Sequence, residues 1–331
     1  MTDRQTDRII SVLRLIAFIS IVLCHLCQSY RLELAWWLNI GVQIFLCISG
    51  YLYGKKNEIK LPDFYIQRLK KLLIPYYCIL IPMIIVELLF KVDSLGMKEI
   101  LSALLIKGTI PGGTHLWFIS NILICYIIIP VLKDMHAMFH QNTFKACLLS
   151  VVLANYFIIV HTRSYHPDAI TCFIIAFFIG MYELPNRTIP FKITIIFGLL
   201  AIILNLGQVY IQYFSGLVTH YSHDNNIIEM IIGYNHTLLA VFVLLLFINY
   251  REFFQCENDI IQSMCRISDK YSYYGYLVHH FIILGPLSMT YFSSYITFNI
   301  LLIIVTIFVM GKILYVISSE FDKVLLKGIG N

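Results

Sequence analysis

The chain is 331 residues long, 59% hydrophobic and only 13% charged, with a net charge of +5 at neutral pH. Soluble domains run at about 45–50% apolar and about 25% charged, so these proportions exclude a soluble globular enzyme, a disordered chain and a secreted disulfide scaffold. They imply one polytopic membrane domain over 1–331, and the basic residues, divided among many short loops, argue against a nucleic-acid partner.

A helix needs about 20 largely apolar residues to cross roughly 30 Å of hydrocarbon. Ten runs approach that length: 9–27, 35–54, 72–90, 115–132, 147–161, 169–183, 193–214, 227–249, 273–290 and 296–317. Strand-type alternation is absent, so the expected fold is all-α, with about ten transmembrane helices. Arg14 interrupts the first run and no small-residue cleavage site follows, so this run is expected to stay in the protein. The fifth and sixth runs are short, and a re-entrant pair is the alternative there.

Between the third and fourth runs lies an outer loop, 91–114, with an amphipathic stretch at Met97–Ile106 and a Pro111-Gly112-Gly113 turn signal. The largest inner loop, 250–272, carries helical patterning at Phe253, Phe254, Ile260, Ile261 and Met264 and is expected along the membrane surface. With the N-terminus inside, 17 Lys and Arg residues fall on the cytoplasmic side and 5 on the other, leaving Arg14 and Lys312 within spans. That bias puts both termini in the cytoplasm. Seven of the nine cysteines lie in apolar runs and read as small filling residues. Neither the Cys24–Cys27 pair nor His220 with His223 has a second pair to complete a metal site, so no metal is expected.

Titratable groups inside a span are costly and need a reason. The first helix holds two, Arg14 and His25, eleven residues apart. Eleven steps of about 100° return the helix to within roughly 20° of its starting direction, about 16 Å further along. Arg14, Phe18, Ile21, His25 and Gln28 therefore share one stripe, with the cation near the inner end and the imidazole toward the outer leaflet. Either Arg14 snorkels and His25 is a packing histidine, or both face one cavity; their sharing a stripe favours the cavity. Glu87, Glu229, Asn121, Asn155, Asn235 and His236 read as interhelical hydrogen-bonding groups, with Glu229 and His236 alternatively lining a cavity.

Five sequence pieces in order carry a resemblance. Arg14 and His25 enclose ten residues in the first span, and Gly41-Val42-Gln43-Ile44-Phe45-Leu46-Cys47-Ile48-Ser49-Gly50-Tyr51 occupies the second. Arg68 to Pro75 follows in the next loop, then His115-Leu116-Trp117-Phe118, then Ser272-Tyr273-Tyr274-Gly275-Tyr276-Leu277-Val278-His279. Together they resemble the acyltransferase-3 family of integral membrane acyltransferases. Lys71 stands where the family prefers a second Arg, which weakens bidentate phosphate recognition.

The resemblance implies transfer of an acyl group, expected to be acetyl, from cytosolic acyl-coenzyme A to a hydroxyl. The acceptor would be a cell-surface polysaccharide or its lipid-linked precursor, and no cofactor would be held permanently. No esterase-like domain of the kind fused to some members is expected, so the membrane part would complete the transfer. The protein would sit in the cell membrane of a bacterium, the inner or plasma membrane, as a multi-pass protein with the bilayer as its surroundings.

In residue terms, Arg14, Arg68 and Lys71 would hold the polyanionic donor. His25 would act as general base or become transiently acylated, and His279 would orient the acceptor or stabilise the oxyanion. His115 and Trp117 would mark the outer mouth, where the indole either stacks on a sugar or anchors the interface. His280, about 100° round the helix from His279, reads as structural. The rival reading is a transporter or flippase for a glycan or polar solute, although no inverted repeat is visible.

Overall fold

In hydrocarbon no water is available to satisfy backbone N–H and C=O groups, so an apolar chain closes its hydrogen bonds within helices. Thirteen α-helices and no strand occur among the described residues of the computed structural model, which are 3–90, 95–162, 168–184, 187–214, 226–253 and 258–329. In chain order they are α1 (Asp3–Ser29), α2 (Leu34–Leu38), α3 (Gly41–Gly54), α4 (Leu61–Phe90), α5 (Met97–Leu104), α6 (Trp117–Ile127) and α7 (Ile129–Met138). There follow α8 (Thr143–Phe157), α9 (Asp168–Glu183), α10 (Phe191–Tyr213), α11 (Asn226–Asn249), α12 (Asp259–Ile283) and α13 (Ile296–Ile329). A 3₁₀ turn at Thr114–Leu116 leads into α6, and a π turn at Ile158–Thr162 extends α8.

Eight stretches are long and apolar enough to cross a bilayer, among them Arg8–Ser29, Leu34–Gly54 and Thr114–Met138. The other two expected spans also fall on helices. Helix α9 has 16 residues, about 24 Å of rise. Helix α12 begins at Asp259, so the surface helix expected within 250–272 and the ninth span are one continuous rod of 25 residues. Its apolar part stops at Ile283, ahead of the Gly285-Pro286 break, where the hydroxyls of Ser288 and Thr290 donate to the Ile283 carbonyl at 2.7 and 2.8 Å. The amphipathic stretch expected at 97–106 is α5.

The chain divides into two compact units. The first comprises Met1–Ala17, Asn39–Glu58 and Ile124–Gln262. At its centre α3 lies against α9 with backbone touching backbone. A methyl group at Gly50 would overlap the Phe173 carbonyl oxygen, one at Gly54 that of Phe177, and one at Gly180 that of Tyr51. Glycines four apart on one face permit this approach, which gains dispersion contact where no hydrophobic force separates protein from lipid. Buried polar side chains then link neighbouring helices. Gln43 Nε2 donates to Asp168 Oδ2 at 3.2 Å, Tyr51 Oη to Glu183 Oε2 at 2.5 Å, and Asn235 Nδ2 to Gln208 Oε1 at 3.1 Å. Asn155 and Asn235, expected to bond between helices, do so; the Glu229 side chain, His220 and His223 lie outside the described residues.

The second unit comprises Phe18–Leu38, Ile59–Leu123 and Ser263–Asn331. Here α12 packs on the C-terminal half of α1 and on α13 through Gly275, whose missing Cβ leaves room for the Phe18 ring and Ile307. Tyrosines tie α4 to its neighbours: Tyr76 and Tyr77 donate to the carbonyls of Ala103 and Leu104, and Tyr273 donates to that of Leu72. The eight described cysteines are free thiols, as filling residues would be.

Candidate functional site

Four histidines meet in the second unit. His25 comes from α1, His115 from the 3₁₀ turn, and His279 and His280 are successive residues of α12. The His25 ring lies 5.0 Å from that of His279 and 4.9 Å from that of His280, centroid to centroid. On the other side, His115 lies 5.1 Å from His279 and stacks on His280 at 4.8 Å with 13° between planes. Successive α12 side chains diverge, yet the His279 and His280 centroids are only 6.1 Å apart, so one ring can touch both. His280 therefore belongs to the cluster.

Local backbone builds the site. Gly112 adopts φ +67°, a left-handed conformation that an L side chain takes up only at a cost, and this turns the Pro111-Gly112-Gly113 segment so that its carbonyl accepts from His280 Nδ1 at 2.6 Å. Two residues on, the Thr114 hydroxyl faces His280 Nε2 at 3.2 Å. Tyr276, one turn before His280, donates its hydroxyl to the His115 carbonyl and fixes the 3₁₀ turn against α12.

These partners decide the tautomers. A carbonyl only accepts, so the nitrogen facing it carries the proton. His115 donates from Nε2 to the Leu277 carbonyl at 3.1 Å, and His279 donates from Nδ1 to the Tyr276 carbonyl. His280 donates from Nδ1 to Gly112 and accepts from Thr114 at Nε2. His25 Nδ1 faces Gln28 Oε1 at 2.6 Å, one turn along α1, and donates to it. What remains is one lone pair each on His25, His115 and His279, that of His280 being taken up by Thr114. Those on His115 Nδ1 and His279 Nε2 are buried and meet no hydrogen-bond partner. His115, His279 and His280 are buried, with 4%, 0% and 6% exposure; His25 is only half-buried. His25 is thus the most exposed ring of the cluster, and its Nε2 is the nitrogen that Gln28 does not hold.

Of the other expected site residues, Trp117 opens α6 at 38% exposure in the same unit, whereas His115 is enclosed in the cluster and does not form an open mouth. Arg68 and Lys71 stand three residues apart on α4, half-buried and exposed respectively, and so share a helix face. Arg14 is half-buried on α1, in the part of that helix belonging to the first unit. Among the described residues no group of three or more His, Cys, Asp or Glu side chains has the geometry to hold a metal ion.

Comparison with known proteins gives one result. A protein-family model described as an acyltransferase domain matches residues 7–315. No curated protein and no solved structure matches the chain.

Proposed function

Since the chain belongs to the acyltransferase-3 family of multi-pass membrane acyltransferases, we propose that it moves an acetyl group from cytosolic acetyl-coenzyme A to a hydroxyl of a cell-envelope polysaccharide or its lipid-linked precursor. The observation that carries this reading is the half-buried His25 ring, whose Nδ1–H is held by Gln28 and whose Nε2 lone pair is left available.

In the proposed step, His25 Nε2 takes the proton of the acceptor hydroxyl as its oxygen bonds to the thioester carbonyl carbon. The tetrahedral intermediate expels the coenzyme A sulfur, and the new imidazolium returns the proton to that thiolate. A positioned base of this kind contributes about 10²–10⁴-fold to the rate. His279 presents a lone pair and not an N–H to the cluster, which suits orienting a hydroxyl donor better than stabilising an oxyanion. Arg14, Arg68 and Lys71 are the proposed cations for the donor's phosphates, and Trp117 the aromatic plane for a sugar. Family membership favours this chemistry over a transporter or flippase.

For topology, we propose that α9 and the apolar half of α12 complete ten crossings with both termini cytoplasmic. Helix α9 is buried along nearly its whole length, and a helix enclosed by protein need not match the hydrocarbon thickness.

The test is release of free coenzyme A thiol from acetyl-coenzyme A by purified protein, with envelope glycan as acceptor. His25→Ala should lower transfer by at least about 100-fold while expression stays normal. Activity within a few-fold of the unsubstituted protein removes His25 from the mechanism.

A further inference from the structure

The connection from α4 to α6, expected as an outer loop, belongs to the second unit, and two measures place its described part well inside that unit. Tyr76 and Tyr77 donate to the carbonyls of Ala103 and Leu104, at 2.6 and 2.9 Å. Tyr76 stands 14 residues before the end of α4 at Phe90, about 21 Å of rise and far more than a tyrosine side chain spans. The end of α5 therefore sits deep beside α4. His115, further along, bonds the Leu277 carbonyl, two residues from Gly275. A methyl group at Gly311 of α13 would meet the Gly275 nitrogen at 3.1 Å, and Gly311 is 15 residues into α13 from Ile296, about 22 Å. Both α4 and α13 are long and apolar enough to cross a bilayer, so the segment from α5 to His115 lies at membrane depth. Irregular backbone persists there only when its polar groups are satisfied. The N–H groups of Lys107 and Gly108 both close on the Ser102 carbonyl, at 2.8 and 3.1 Å, and the two tyrosines take the next two carbonyls.

The segment has two kinds of exposed surface. Met97, Leu101 and Leu105, spaced by four along α5, are 70%, 52% and 64% exposed, while Ala103 on another face is buried. Just past the helix, Lys107 is exposed as well. At this depth an exposed leucine is stable against lipid, whereas an exposed ammonium is costly unless water reaches it. We propose that the Met97–Leu101–Leu105 stripe faces bilayer lipid and that Lys107 faces a water-filled recess through which the acceptor hydroxyl approaches the histidine cluster. One stretch of backbone joins the two places. Five residues after Lys107, the Gly112 carbonyl accepts from His280, and the turn carrying His115 follows. The acceptor route rests on the transfer reading above, and the recess on depth and charge alone.

The experiment uses the full chain reconstituted in vesicles of phosphatidylethanolamine and phosphatidylglycerol. A charged, membrane-impermeant methanethiosulfonate is supplied on both sides, and peptide mass spectrometry reads its attachment residue by residue, apart from the native cysteines. Only a thiolate reacts, and hydrocarbon suppresses its formation, so Lys107→Cys should label at least about ten-fold faster than Leu101→Cys or Leu105→Cys. A cysteine is too short to reach the interface as a lysine does, which makes reaction at 107 a report of local water. Equal rates at the three positions, or no reaction at 107, overturn the proposal. With the adduct in place on Lys107→Cys, acetyl transfer to envelope glycan should be lost, and reductant that removes the adduct should restore it. Undiminished transfer by the labelled protein overturns the acceptor route. Parallel assay of His25→Ala keeps the two readings apart: normal transfer by that variant sinks the transfer mechanism, and the labelling contrast between 107 and 101 is unaffected by it.

Discussion

At the scale of single residues, His25 is distinguished by what holds its other nitrogen. The Gln28 carbonyl oxygen at 2.6 Å selects the tautomer with the proton on Nδ1, and an imidazole in the wrong tautomer is useless as a base. Replacing Gln28 by Leu should therefore lower kcat by about 10- to 100-fold and leave the KM for the donor unchanged. Gln28→Glu keeps an acceptor at that position and should keep most of the activity. Equal loss in both variants, read from steady-state kinetics, would show that Gln28 does not act through the tautomer. That Gln28 lies on the His25 face follows from helical spacing; that its amide oxygen reaches the ring does not. The same distinction applies to His115. Its side chain reads as a mouth residue in a loop, and only the carbonyl of Leu277, from a helix more than 160 residues away, explains why it is buried.

At the scale of elements, helix approach is set by glycine. Gly50, Gly54 and Gly180 let α3 and α9 touch through their backbones, and the obstacle to a larger residue is main chain that cannot move aside. Gly180→Ala should destabilise the protein by about 1–3 kcal/mol, seen as a lower unfolding midpoint in detergent by intrinsic fluorescence. An unchanged midpoint would mean that the two helices are not in backbone contact. The spacing Gly50-x-x-x-Gly54 is visible in the chain as a small-residue pair, but its partner face on α9 is not. Helix α12 illustrates a different limit. Its polar first half and apolar second half look like a surface helix and a span, because composition changes abruptly near Tyr271; the backbone continues as one helix because nothing between Asp259 and Ile283 breaks it.

At the scale of the whole molecule, the Lys and Arg distribution predicts an orientation, because moving cations across the bilayer is costly. Reporter fusions test it. A fluorescent protein at either terminus should be bright and alkaline phosphatase there inactive, with the reverse in the outer loop before Pro111; active phosphatase at a terminus would invert the topology. The all-helical class and the presence of many apolar crossing segments are readable from composition and periodicity, since lipid imposes a local rule on every crossing segment. The gathering of four imidazoles obeys no local rule. It depends on a left-handed Gly112, a 3₁₀ turn and a helix end packing at ring-contact distance, and such closure between remote segments is a property of folded packing that spacing along a chain does not encode.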